Sequence, residues 1–447
     1  TAEASKSRTN GWIFALSLND GGAISGTANV YWVSGNITGH TVRIDYSPDD
    51  GLAWTNVTTG IPATNGVYNW DTTLNQSSAI GLWRIASETD AGVADTNDHI
   101  FKLGAGPFAF YVNDSNTFDD VYCSATGNDA NNGATTNTPK YNVSAILSTY
   151  DLGPGDTVYI DTGIYSNYSF SVATPHDGSA GAYVSFQGST NTAAGGTELK
   201  ALNASTDIIV LTASYCRFRD LILSGARYGL YVYAANKYPI CERVVFKSNQ
   251  YGHRANTGGM HGGQFIRCVF YTNTYGSAPI GTCRTYIYSN CVFYGNGRAL
   301  SGGSPSTPPN RVFNCIIEGG AYAYDSTWTT GCSTGDYNVY WNTLIHPSYT
   351  NLAEWQATGD DPHSINGNPY FANPPALDFH LMSKMGRYSN GVWVVDSVDS
   401  MAIDAADTNS PYALEPKPNG YRMNCGNYGN TAEASQSRYK GTVFSAW

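Results

Sequence analysis

The chain has 447 residues, a formal net charge of −11 and only 13% charged residues, against 41% hydrophobic ones. That content supplies a core large enough for two domains or one long one, and the absence of any run of 18 apolar residues excludes a membrane-spanning helix. Glycine (48) and tyrosine (33) are abundant, which favours pleated strands and tight turns over helices. Nothing in the charge pattern or motifs matches a nucleic-acid-binding module. The middle of the chain departs from the acidic average: residues 206–345 hold six acids against eleven Lys and Arg. A basic stretch of that kind can attract an acidic polysaccharide, or it can be a set of solvated turn residues.

From the N-terminus, residues 11–103 read as short strands: WIFALSL (12–18), NVYWVSG (29–35), TVRIDYS (41–47), GVYNWDT (66–72), LWRIAS (82–87) and HIFKL (99–103). In the third of these Val42, Ile44 and Tyr46 alternate with Arg43 and Asp45, the period of a half-buried strand. Six such runs separated by Gly/Asn/Asp clusters indicate a β-sandwich. The stretch Val42, Ile44, Tyr46, Ser47, Asp49, Gly51, Trp54 resembles the core of immunoglobulin-like or fibronectin-like modules of bacterial secreted proteins. Asp49 and Asp50 read as an Asx-type turn rather than a calcium site. Residues 104–120 read as a linker. Val143–Tyr150 is the one helix the sequence proposes, with Val143, Ile146 and Leu147 on one face, placed to cap an open sheet end.

A repeat then dominates. RDLILSG (219–225), RVVFKSN (243–249), RCVFYTN (267–273), NCVFYGN (290–296), NCIIEGG (314–320) and YNVYWN (337–342) recur at a period of 23–24 residues. One strand pattern per repeat at that period means a solenoid whose core is a set of ladders. Aligned on their first residues, the repeats give an inward column Asp220/Val244/Cys268/Cys291/Cys315/Asn338 and a second, Ile222/Phe246/Phe270/Phe293/Ile317/Tyr340. The Val/Ile column between them faces out. Cys268, Cys291 and Cys315 read as a buried thiol ladder, and Cys283 and Cys332, outside it, offer a disulfide that sequence cannot pair.

Residues 121–430 resemble a right-handed parallel β-helix of the pectate-lyase-like group. The resemblance is carried by Gly127, Asn128, Asp129, Asn131, Gly133, Pro139, Lys140 and the PGDTVYIDTGIY phrase (154–165). It closes on Asn368, Pro369, Phe371, on DFHL (378–381), on AIDA (402–405) with Asp407, and on Pro418–Gly420, Arg422, Asn424, Gly426 and Tyr428–Thr431. It implies an all-β chain: an N-terminal β-sandwich, then a right-handed parallel β-helix solenoid with one short N-terminal capping helix. It is nearly silent on chemistry, because a fold does not fix a function.

Relatives of such a fold include hydrolases with paired carboxylates and lyases that neutralise a uronate and remove a proton. The central coils bring no two acids together, which counts against a hydrolase and against a calcium-dependent lyase. A metal-free lyase would draw on His253, Arg254, His261 and Arg267, gathered in one coil, with Tyr251, Tyr275 and Arg298 at neighbouring coils. The same residues read more simply as a polar, Gly-rich turn with two exposed histidines, and Tyr228, Tyr231, Tyr233 and Trp328 read as exposed rings that could stack on sugars but more often extend the packed surface. No cofactor or metal is expected.

Finally, TAEASKSRTNG (1–11) returns as TAEASQSRYKG (431–441), with eight of eleven positions identical. The closing copy ends the β-helix in the resembling domains, so residues 1–10 read as the tail of a preceding module and 431–447 as the start of the next or as an inter-subunit strand. Trp12, Ile13 and Phe14 at one end, and Val443, Phe444 and Trp447 at the other, become candidates for head-to-tail self-assembly by strand addition. The expectation is a non-enzymatic, modular, extracellular or cell-surface protein of bacterial type, either structural or adhesive, whose partners are copies or adjacent modules of itself. The alternative is a polysaccharide lyase or carbohydrate-binding protein acting on an acidic glycan.

Overall fold

The computed structural model describes residues 10–233, 237–256, 262–279, 285–302, 309–328 and 333–438. His261, Cys283, Cys332, Val443, Phe444 and Trp447 lie outside the described residues. The chain is nearly all β, with two α-helices among the described residues, Val143–Thr149 and Leu352–Gln356. Among the described residues no helix is long and apolar enough to cross a membrane.

The N-terminal strands form two sheets around one core. Trp12–Ala15, Thr27–Gly35 and Val67–Asp71 make a three-stranded antiparallel sheet, and Thr41–Ser47 lies in the second sheet between Thr55–Pro62 and Ser78–Ser87. Val42, Ile44, Tyr46, Trp70, Trp83 and Phe101 fill the space between them. Thr55–Pro62 escapes sequence reading because, as an exposed edge strand, it needs no apolar face. The 47–51 turn is held by Asp49, whose Oδ1 accepts the Ala53 N–H and the Ser47 hydroxyl, both at 2.8 Å. Of the strand-addition candidates, Ile13 is buried in the core, and Trp12–Ala15 already pairs with Thr27–Gly35 along one edge.

The stretch read as a linker contributes Ala109–Val112, the first strand of the solenoid, paired in parallel with Thr157–Ile160. Lys102 at the end of the sandwich inserts its ammonium between Asp156 Oδ2 at 2.6 Å and the Asp151 carbonyl at 2.8 Å. Both partners are almost fully buried, so the junction of sandwich and solenoid is a desolvated ion pair. The second carboxylate of PGDTVYID, Asp161, accepts backbone N–H groups of Val121, Tyr122 and Thr162. The acids of this phrase fasten loops, which explains why the phrase marks a fold and not a reaction.

Beyond this point the chain coils through about eight turns. Each full turn lays one strand on each of three parallel sheets, of nine, nine and seven strands. The Val143–Thr149 helix packs Val143 and Ile146 into the open end. From Asp220 onward, each described corner between the first and second sheets is turned by one left-handed residue: Asp220, Arg243, Arg267, Asn290, Asn314 and Tyr337, all with φ between 52° and 56°. Inside, Phe246, Phe270 and Phe293 stack at 4.7 and 4.6 Å with nearly parallel rings, and Cys268, Cys291 and Cys315 are fully buried beside them. The first repeat is shifted by one from the sequence alignment. Ile222 faces Val245 and Leu223 faces Phe246, so Leu221, not Asp220, heads the inward column. Asp220 belongs to the corner column, where Arg243 of the next coil grips it at 2.6 and 2.8 Å.

At the corner between the second and third sheets, Asn249, Asn273 and Asn296 form a buried ladder. The Asn273 amide donates to the Phe246 carbonyl at 2.8 Å and to Asn296 Oδ1 at 2.9 Å, and Asn273 Oδ1 accepts the Asn249 N–H at 2.9 Å.

The outward Val/Ile column does face out, but not into water. Val292, Ile316 and Val339 are fully buried beneath residues 367–438, which fold back over the second sheet with Phe371, Phe379, Ala402, Met423 and Cys425. The corner residues tie this cover down. Arg267 donates to the Gly429 and Asn430 carbonyls at 3.2 and 3.1 Å, and Asn314 Nδ2 donates to the Ser410 hydroxyl at 3.0 Å.

Replacing Asn273 by Ala leaves the buried Phe246 carbonyl and Asn249 N–H of the preceding coil without its side chain, so Asn273→Ala should cost roughly 2–4 kcal/mol in chemical denaturation; a loss under about 0.5 kcal/mol would mean the ladder is not holding the coils.

Candidate functional site

The third sheet carries the most regular outward chemistry. Its strands Asp207–Leu211, Tyr228–Val232, Tyr251–Ala255, Tyr275–Pro279, Arg298–Leu300 and Tyr322–Tyr324 stack in register, so Asp207, Tyr228, Tyr251, Tyr275, Arg298 and Tyr322 form one outward column. Tyr231 and Arg254 stand beside it in the next. Gly229, Gly252 and Gly276 follow the three tyrosines because a Cβ at any of them would lie 2.6–2.7 Å from a carbonyl of the next coil. The Tyr-Gly pair is therefore the local signature of this strand.

The tyrosines use their faces on one another. Tyr228 and Tyr251 have ring centroids 5.4 Å apart, and Tyr251 and Tyr275 stack at 4.5 Å with 7° between planes. Each ring also carries a guanidinium: Arg227 at 4.7 Å from Tyr228, Arg254 at 4.7 Å from Tyr251, Arg298 at 5.0 Å from Tyr275. What remains for solvent is a row of phenol and guanidinium edges, one coil spacing (about 4.8 Å) apart. The two carboxylates near the row are engaged. Asp207 holds Arg227 in a bidentate pair at 2.8 and 2.7 Å, and Asp325 takes the Ser301 hydroxyl at 2.6 Å with Arg298 at 3.8 Å. Among the described residues no carboxylate pairs with Arg254. Burial raises the Tyr251 phenol above its ordinary range, with Arg254 opposing. Arg298 Nη1 donates to the Tyr275 phenol oxygen at 2.9 Å. Tyr233, at 56% exposure, flanks the row with its ring edge-on to Tyr231.

The structure separates the residues that sequence gathers around position 260. His253 is 0% exposed, in the inward column Leu230/His253/Ser277/Leu300. Its ring packs 4.7 Å from Phe265 and 5.0 Å from Tyr286, and its Nδ1 lies 2.8 Å from the Ser277 hydroxyl. Arg254, one residue on, points outward into the strip. Arg267 sits at a different corner and is committed to the C-terminal carbonyls. Tyr251, Arg254, Tyr275 and Arg298 do come together. Sequence reading finds these four through their neighbouring coils and offers Tyr228, Tyr231 and Tyr233 separately as exposed rings; it misses Arg227 and the single row they make, and Trp328, read as exposed with them, is fully buried. The recurrent Tyr-Gly pair was the available signal.

Other charged groups are structural or isolated. Asp220, Glu242, Arg219 and Arg243 form an ion-pair network on the outside of the first sheet. Glu318 is raised to about 7 by burial alone, beside Tyr294 on the second sheet. No second carboxylate contributes to that shift, so the paired acids of a hydrolase are not assembled there. No group of three or more His, Cys, Asp or Glu able to hold a metal occurs among the described residues.

No family model and no curated protein matches the sequence. Among solved structures, an alginate lyase from Paenibacillus sp. str. FPU-7 is similar at 12% identity and TM-score 0.29, over 43% of this chain and 84% of that one. Pectate lyase PelI from Erwinia chrysanthemi, in complex with tetragalacturonic acid, gives 10% identity and TM-score 0.19, over 77% and 87% of the two chains. Pectate lyase Pel3 from Pectobacterium carotovorum gives 9% and 0.17, over 76% and 87%.

The opposite orientations of two adjacent residues are directly testable. His253→Ala should cost about 2–4 kcal/mol in stability by opening a core cavity, and Arg254→Ala less than about 0.5 kcal/mol. The reverse order in urea denaturation would contradict the placement.

Proposed function

We infer that the solenoid binds an anionic polysaccharide along the Tyr/Arg strip of its third sheet, as a non-catalytic, extracellular or surface-exposed rod with the N-terminal sandwich, of immunoglobulin-like type, as a spacer. The division into a sandwich at 11–103 and a β-helix at 121–430 belongs to this reading. The observation that carries it is Arg254, a guanidinium without a carboxylate partner among the described residues, set in a row of phenol and guanidinium groups that repeats with the coil.

The physical case is one of matching donors. Guanidinium edges hydrogen-bond carboxylates in bidentate fashion, and phenol hydroxyls can both donate to and accept from sugar hydroxyls. Because the rings stack on one another, the side chains are already ordered, and little rotamer entropy is lost when a chain lies along them. The paired Asp207 and Asp325 leave the strip without free negative charge to repel a polyanion. Eliminative cleavage is the second reading, favoured by the Arg298 contact to the Tyr275 oxygen, which places one possible proton acceptor beside a cation.

Titration with a polyuronate should show saturable binding that weakens with salt, while neutral dextran does not bind. Arg254→Ala and Tyr251→Ala should each reduce affinity about tenfold, a change of about 1.4 kcal/mol, and no unsaturated product should absorb in the ultraviolet. Affinity unchanged by both substitutions would remove the strip from function. Product formation lost in Tyr275→Phe would replace binding by lyase activity.

A further inference from the structure

The phrase that occurs twice in the sequence has, at its second occurrence, a fitted groove. Thr431–Ser437 lies between the Asp378–Leu381 strand and the 415–428 loop. Thr431 Oγ1 donates to the Tyr428 carbonyl at 2.7 Å. The Glu433 carboxylate is 3.6 Å from His380 Nε2, and the His380 ring stacks on Tyr428 at 3.6 Å. Ala434 is fully buried. Ser435 Oγ donates to the Leu381 carbonyl at 2.5 Å, and the Ser435 carbonyl accepts the Asn424 amide at 2.8 Å. Around position 436 the contacts are to backbone: its N–H donates to the Gly386 carbonyl at 2.8 Å, and its carbonyl accepts the Ser383 hydroxyl at 2.6 Å. The Ser437 N–H donates to the Pro418 carbonyl at 3.0 Å.

Thr431, Glu433, Ala434 and Ser435, whose side chains meet the groove, recur at the other end as Thr1, Glu3, Ala4 and Ser5, and Ser437, held through its N–H, recurs as Ser7. The single difference, Lys6 for Gln436, falls where the groove holds the backbone. The one side-chain contact of Gln436 is a donation to the Lys417 carbonyl at 2.7 Å, and a lysine ammonium can make it too.

We propose that this groove is a docking site for residues 1–7 of a second copy of the chain, so that exchange of one phrase for the other joins copies head to tail. The contact is heterologous, between a segment of one copy and a groove on the next, and such contacts extend instead of closing. The resident phrase, tethered beside its groove, has the advantage of effective concentration; assembly follows when it is displaced. This does not rest on glycan binding, and it replaces strand addition at Trp12–Phe14 as the route to joining.

The test uses the full chain. Ala434→Trp puts an indole where no space exists and expels the resident phrase. Sedimentation should then show concentration-dependent oligomers where the parent chain shows few, and adding Ala4→Trp to the same chain should abolish them. A folded Ala434→Trp chain that stays monomeric at all concentrations, or oligomers indifferent to Ala4→Trp, would overturn the proposal. If Ala434→Trp does not fold, Ser435→Ala, which only loosens the phrase, serves with a labelled peptide of sequence TAEASKSRT. Saturable binding, lost when Ala4 of the peptide is Trp, is expected; no saturable binding overturns the proposal.

Discussion

Parallel coils stacked at one strand spacing, about 4.8 Å, oblige each residue to lie on its counterpart in the next coil. Every main feature of the solenoid follows from that one constraint. Flat rings can stack at this spacing, and they do so inside as Phe246/Phe270/Phe293 and outside as Tyr228/Tyr251/Tyr275. Amides can pass hydrogen bonds along it, as the asparagine ladder does. Like charges cannot stand on it without partners, and most outward acids on the coils are accordingly paired with an arginine of a neighbouring coil, as Asp220 is with Arg243 and Asp207 with Arg227.

The three outward faces are then put to different uses. The second sheet presents Val269, Val292, Ile316 and Val339, and so must be covered; the C-terminal segment covers it, anchored by Arg267, Asn290 and Asn314 at the left-handed corners. The first sheet carries the ion-pair network of Asp220, Glu242, Arg219 and Arg243. The third sheet retains polar edges, in regular order, that the protein itself does not consume. A ligand matching a repeating row of donors therefore finds its surface there.

The solenoid was legible because the ladder constraint writes itself into the sequence as columns of Cys, Phe and Asn. The slip at Asp220 shows the limit of that reading. The coil from 220 to 243 is one residue shorter between its corners than the repeat spacing implies, and alignment on the arginines concealed it. The capping helix and the sandwich strands followed from ordinary periodicity. The C-terminal cover was not legible as a cover, since residues 367–438 contribute short irregular pieces whose apolar residues have no period. His253 was misplaced for a related reason. In YGHRA the histidine looks polar and therefore outward, but its column neighbours Leu230 and Leu300 mark an inward position. The Tyr/Arg strip was only partly legible, because two consecutive inward residues after each tyrosine, as Gly252 and His253, break strict alternation.

The strip has a definite length. Tyr228 to Tyr322 spans four coil steps, about 19 Å. A calorimetric titration with oligouronates of increasing length is thus the most direct test of the central claim, that the regular row is the binding surface. Affinity should climb with each added sugar until the ligand fills the row and then level off. Affinity independent of length, or an absence of binding at every length, would contradict it.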